Sequence, residues 1–261
     1  MVDLMAGAGA YDLAGPMARK TGEAATGIRR LLSAEGPPPA LAAPLVAAVR
    51  ALDPAGRRYP GSPELARSRL RPGDRLVLVE LHPSDHADLD LEARYAGCEG
   101  VEVRREDGLR LLARSLPPPG RRALVLIDPA YELEREETVL VAALGRALAR
   151  QPSAVYLLWY PVLERARTEA FLAALAEAGL GRALRVELGR LPDGAARGLT
   201  ASGMVIANAP RGLDRWFARE LPILAAVLGA EGACRVERLP GRPAPRRPRS
   251  PVPALVSGAQ R

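Results

Sequence analysis

Apolar residues along this chain fall into short runs separated by polar turns, not into one long stripe. The run Ala123-Leu-Val-Leu-Ile127, bounded upstream by Pro117-Pro-Pro-Gly-Arg-Arg122, predicts a short strand buried on both faces. Comparable runs predict strands over residues 75–80, 101–104 and 154–160, the last ended by Pro161. Helical periodicity lies between them, over residues 84–95, 134–150 and 166–178. Residues 184–191 and 198–209 read as a closing antiparallel pair, followed by an amphipathic helix over 213–228 and a last short strand near 233–238. Strands alternating with helices predict an α/β fold around a mostly parallel sheet.

The beginning of the chain departs from that rhythm. Residues 2–9 read as the end of a strand followed by a glycine turn, in which Gly7 and Gly9 let backbone approach a ligand closely. In a simple βαβ unit the next strand would follow roughly 20 residues later. Here it waits until residue 75, and the interval carries helical patterns near 17–32 and 40–52 and a third reaching about residue 71. Residues 17–72 are therefore read as a helical insertion. Because the first strand starts at Met1, a preceding segment of the domain is expected to be missing.

In an open parallel sheet, ligands bind beyond the carboxyl ends of the strands. Three acids fall there. Asp128 closes the central strand and is followed by Pro129-Ala-Tyr131. It serves either as a ligand-facing acid or as the N-cap of a strand-to-helix turn. Glu80 closes the strand before it, placed to accept ribose hydroxyls or to stand as a surface acid. Asp107, followed by Gly108, suits an adenine amino group, a helix N-cap, or both.

Composition narrows the classes. No run approaches 18 apolar residues, and the first 25 residues lack a signal-peptide layout, so neither a membrane span nor secretion is expected. Two cysteines, Cys98 and Cys234, are too few for a disulfide framework and point to the cytoplasm. His82, His86 and Cys98 form no recognisable ligand set, so no metal is expected. The net charge of +7 is concentrated in the Pro- and Arg-rich tail, whose five arginines account for most of it. That tail, residues 240–261, is expected to be disordered, leaving residues 1–239 as one domain. No heptad or exposed apolar stripe argues for an oligomer, so a monomer is expected.

The segment Asp128-Pro-Ala-Tyr131 resembles the Asp-Pro-Pro-Tyr signature of methyltransferases acting on exocyclic amines, adenine N6 above all. Other segments sharpen the likeness: Ala6-Gly-Ala-Gly9, Lys20-Thr-Gly-Glu23, Tyr59-Pro-Gly-Ser-Pro63, Glu80-Leu-His-Pro83, Asp107-Gly108, Leu158-Trp-Tyr-Pro161 and Thr200-Ala-Ser-Gly-Met204. In that order they resemble the bacterial 23S ribosomal RNA adenine-N6 methyltransferases over about residues 2–238. The resemblance implies a Rossmann-like class I fold, with a seven-stranded sheet ending in an antiparallel strand. It implies S-adenosylmethionine as cofactor and 23S ribosomal RNA, protein-free or in early assembly, as partner.

Cofactor contacts are implied at Met5, Gly7, Gly9, Ser62, Glu80, Asp107, Gly108 and Asp128. The catalytic acid is implied at Asp128, and substrate contacts at Pro129 and at Tyr131, whose ring would stack on the adenine. Three departures stand out, the first being the expected absence of the segment rich in Tyr, Arg, His, Asn and Lys with which the family begins and which contacts cofactor and RNA. The family's Asp-Thr-His-Ala-Gly is Asp3-Leu-Met-Ala-Gly7 here, and its second proline is Ala130. Alternatives are a DNA adenine-N6 methyltransferase of the same fold, or a catalytically silent homologue that keeps some affinity for RNA.

Overall fold

The computed structural model describes residues 1–15, 18, 22–95, 99–115, 122–131, 134–194 and 198–241. Ten strands are described: β1 (Val2–Asp3), β2 (Ala10–Asp12), β3 (Arg58–Pro60), β4 (Leu76–Val79), β5 (Val101–Arg104), β6 (Leu124–Ile127), β7 (Val155–Val162), β8 (Leu184–Gly189), β9 (Ala201–Ala207) and β10 (Cys234–Arg238). Eight form one sheet in the order β10-β8-β9-β7-β6-β1-β4-β5. Pairing is parallel from β5 through β7, and β9 runs antiparallel to both β7 and β8. The expected sheet of seven is thus extended by one edge strand, β10, antiparallel to β8.

Strand order reverses at β1. From there the chain winds outward through β4 and β5 on one side and through β6 and β7 on the other. Such a switch point opens a crevice above the carboxyl ends of β1 and β6. Successive side chains alternate faces, so Val77 and Val79 enter one cluster while Leu76 and Leu78 enter another. The first cluster lies under helices α6 (Gly108–Arg114), α7 (Glu134–Arg150) and α8 (Arg165–Glu177). The opposite face is covered by α4 (Ser62–Arg67), α5 (Pro83–Tyr95) and α9 (Leu213–Leu228).

Between β1 and β4 stand α1 (Glu23–Thr26), α2 (Ile28–Ser33), α3 (Ala43–Leu52) and α4. The pattern over 17–32 is two short helices broken at Gly27, whose backbone conformation is non-helical; residues 17 and 19–21 lie outside the described ones. Ile28, Leu31, Val46 and Val49 form a small core of their own, closed by Leu224 and Leu228 of α9. β2 and β3, absent from the sequence reading, pair antiparallel as a two-stranded ribbon beside the glycine turn.

Pro161 does not end β7, which continues to Val162. The carbonyl of Val162 accepts from Thr200 on the β9 side, so the nitrogen of Pro161 faces the β6 side. There β6 has already ended, its last pair being Ile127 with Leu158. The missing donor costs no ladder bond. The expected disorder of 240–261 falls, from 242 onward, outside the described residues.

Candidate active site

Above the switch point lies a cleft of about 840 Å³. Met5 and Gly7 line it from the loop after β1, Glu80 from the end of β4, and Asp107 and Gly108 from the start of α6. Asp128 and Pro129 line it from the end of β6. Seven of the residues singled out from sequence therefore meet at one hollow. Gly9, Ser62 and Tyr131 do not line it.

The loop after β1 stays in register with the sheet before it turns. Leu4 donates to the Leu126 carbonyl at 3.1 Å and Ala6 to the Val79 carbonyl at 2.9 Å. Gly7 and Gly9 then take φ values of +65° and +87°, the left-handed region that an L side chain disfavours. Glu80 fixes the loop from the side. Its Oε2 accepts the Gly7 N–H at 2.8 Å and its Oε1 the His82 N–H at 2.7 Å. A carboxylate oxygen with one such bond has a further lone pair.

Asp107 proves to be an N-cap, its Oδ1 accepting the Arg110 N–H at 3.1 Å at the start of α6. Gly108 has a packing reason, since a Cβ there would overlap the Leu4 carbonyl oxygen. At the other end of α6, the Arg150 guanidinium caps the Leu112 and Ala113 carbonyls at 2.5 and 3.1 Å. The cleft's apolar walls are Leu109 and Ala113 on α6 and Val139 and Ala143 on α7. Arg110 and Arg146 stand on those same helices. Sequence reasoning missed these wall residues, although Val139, Ala143 and Arg146 share one helical face by spacing.

Asp128 opens onto the cleft but is crowded by protein on its other sides, and that desolvation pushes its carboxyl above the usual carboxylate range. Pro129 is buried behind it. Beneath the cleft lies a group the sequence reading passed over: Asp3, fully buried on β1. Neither of its carboxylate oxygens has a partner at full hydrogen-bonding geometry, although the Ser62 hydroxyl and the Met5 amide lie near enough to favour its charge. Burial dominates and raises it from 3.8 to about 6, with Asp128 and Glu80 adding repulsion.

Tyr131 is held elsewhere. Its φ is +54°, its hydroxyl donates to the Trp159 carbonyl at 2.6 Å, and its ring meets Trp159 and Phe171 edge-on at 5.9 and 6.3 Å. The Trp159 carbonyl faces the β6 side beyond the last β6 pair, so the phenol supplies the donor that the ladder no longer provides. The half-buried ring lines a separate hollow of about 60 Å³ beside Pro161 and Leu163.

Three comparisons bear on this arrangement. The model of the RsmJ family, described as "Ribosomal RNA large subunit methyltransferase D, RlmJ", matches residues 1–239. Ribosomal RNA large subunit methyltransferase J of Escherichia coli K12 is 38% identical over 233 residues, spanning 88% of this chain and 82% of that protein. The protein of the same name from Haemophilus influenzae is 37% identical over 234 residues, with the same shares covered. A crystal structure of a Legionella pneumophila protein superposes with a TM-score of 0.81 at 30% identity, covering 91% of this chain and 87% of that one.

Proposed function

Because the chain belongs to the family of ribosomal RNA large subunit methyltransferases, we propose that it transfers a methyl group from S-adenosylmethionine to the exocyclic N6 of an adenine in 23S ribosomal RNA. The observation that carries this reading is the shared cleft: the glycine turn, Glu80, Asp107-Gly108 and Asp128 border one hollow at the switch point.

The residues present fit the cofactor. Its ribose diol suits the free lone pairs of Glu80, and its adenine suits the slot between Leu109 and Ala113 on one side and Val139 and Ala143 on the other. Close backbone approach at Gly7 suits its amino-acid end. When bound, the cofactor supplies an electrophilic methyl group on a sulfonium.

The remaining work falls to this chain. An exocyclic amine is a poor nucleophile, because its lone pair is delocalised into the ring. Asp128 and the Pro129 carbonyl each accept one of its N–H bonds, orienting the lone pair toward the methyl group and favouring pyramidal nitrogen. Proline keeps that carbonyl rigid. Asp128 acts first as an orienting acceptor, since a carboxylate is a weak base toward an unmethylated amine. Its raised affinity for a proton suits taking the proton that the nitrogen sheds as it is methylated. Tyr131 follows Ala130 of the cleft lining but is anchored in a hollow of its own, so stacking on its ring requires the displaced base to extend beyond the cleft.

The enzyme is proposed to work as a monomer in the cytoplasm on protein-free or early-assembly RNA; no helix among the described residues is long and apolar enough to cross a membrane. Tritium transfer to protein-free 23S RNA, beside DNA of matched sequence, tests the proposal. Methylation of RNA over DNA is expected, with Asp128→Asn slowing it by at least about 100-fold. Preference for DNA, or an Asp128→Asn variant at the normal rate, overturns it.

A further inference from the structure

Tyr11 is a large aromatic residue that is 45% exposed and belongs to no core cluster among the described residues. Its setting is nevertheless specific. It lies at the centre of β2, opposite Tyr59 of β3, where the helical insertion returns to the sheet. The residue after that ribbon, Gly61, donates its N–H to the Gly9 carbonyl at 2.7 Å. A Cβ on Gly61 would come within 2.7 Å of that carbonyl oxygen and 3.0 Å of the Tyr11 ring. A Cβ on Gly7 would overlap the Tyr11 hydroxyl.

The phenol ring thus spans two hollows that exist because two residues lack side chains, one on the insertion and one on the glycine turn. Its hydroxyl lies against the Ala8 amide in the same turn. Glu80 also holds this turn, accepting the Gly7 N–H. The turn is therefore held twice at Gly7, by a carboxylate on its N–H and by the Tyr11 hydroxyl, wedged into the space a Cβ would fill. A three-residue ribbon with one face open to solvent gains little from burial alone, so the wedge has little to offer as core packing.

We propose that Tyr11 is a positioning residue: wedged between Gly61 and Gly7, it sets the glycine turn in its cofactor-receiving conformation and so couples the helical insertion to cofactor affinity. The inference rests on S-adenosylmethionine binding in the adjoining cleft. A turn already fixed in its bound shape avoids an ordering cost on binding, and losing the wedge restores that cost.

Isothermal calorimetry with S-adenosylmethionine, on the full chain, reads this directly. Wild-type protein is measured first, because absence of binding there sinks the assigned function and not the wedge. Tyr11→Ala is expected to weaken binding by about tenfold or more, whereas Tyr11→Phe, which keeps the ring against Gly61 but removes the hydroxyl from the Gly7 hollow, should lose a smaller part of that affinity. Gly61→Ala, whose Cβ displaces the same ring and the Gly9 carbonyl, should weaken binding in the same direction as Tyr11→Ala. In steady-state assays the loss should enter KM for the cofactor, with kcat at saturation nearly preserved; a purely structural role would lower the active fraction and leave KM unchanged. Equal affinity in wild type and Tyr11→Ala overturns the proposal, as does an equal loss in Tyr11→Ala and Tyr11→Phe.

Discussion

Asp3→Asn is expected to stabilise the protein increasingly as pH rises. The folded state holds this carboxyl at about 6 against 3.8 for an ordinary aspartate, because it is buried and faces Asp128 and Glu80. A raised carboxyl means that the folded state binds a proton the unfolded chain has released. The resulting penalty is absent well below pH 4, grows as pH climbs, and levels off above about pH 6. Its full size is about 3 kcal/mol at roughly 1.4 kcal/mol for each unit of displacement. By pH 4.5 about 1 kcal/mol of it is already present, so about 2 kcal/mol accrues between there and pH 8. Asparagine has the same shape and no charge. Packing changes and an imperfectly placed amide affect the variant equally at both pH values, so they cancel in the comparison. Denaturant unfolding of both proteins at pH 4.5 and pH 8 measures it. The stability of Asp3→Asn relative to wild type should improve by about 2 kcal/mol across that interval. A difference independent of pH, or one moving the other way, would refute the claim that Asp3 is buried without adequate partners.

Two further substitutions probe the frame around the cleft. Gly108→Ala should cost about 2–3 kcal/mol in chemical unfolding, because its methyl group meets the Leu4 carbonyl and either the end of β1 or the start of α6 must shift; an unchanged midpoint would contradict that contact. Glu187 is fully buried and accepts from the Tyr160 hydroxyl at 2.8 Å, from Arg165 at 3.0 Å and from Arg185 at 2.6 Å. Glu187→Gln should cost about 3 kcal/mol, whereas Glu169→Gln, on a side chain about half exposed, should cost under about 1 kcal/mol. Equal losses would contradict a larger contribution from the buried ion pair than from the exposed one.

The long elements were legible because their periodicity is unambiguous. Glu134–Arg150 and Leu213–Leu228 begin and end where the pattern places them. What escaped was short or set by distant partners. β2 and β3 have three residues each, too few to show a period, and Tyr59-Pro-Gly-Ser-Pro63 carries the composition of a turn while its first two residues end a strand. Pro161 reads as a strand terminator, and nothing nearby in sequence says that its nitrogen faces a side from which β6 has withdrawn.

The site divides the same way. Glycines and terminal acids betray the cleft, since their positions follow from where strands stop. The direction of the Tyr131 ring does not, because it depends on a carbonyl 28 residues away. Asp3 looked like one polar residue in a short strand; its isolation became visible only once β4 and β6 flanked it.

The arrangement of charge follows from what must be brought together. Asp3, Glu80 and Asp128 stand at the ends of three adjacent strands, close enough that two of them raise the proton affinity of the third. Such a floor favours a cation, as a sulfonium cofactor is, and disfavours the phosphates of RNA. A nucleic acid approaching this floor needs compensation at the rim, where Arg110 and Arg146 stand on the two walls of the cleft. On the proposed function, acid at the floor and guanidinium at the walls would suit one hollow to a positively charged methyl donor with a polyanion across its mouth. On the same proposal, the field of the buried Asp3 carboxylate would fall on the cofactor's charge, and its cost to the fold at neutral pH would be stability given up at a functional site.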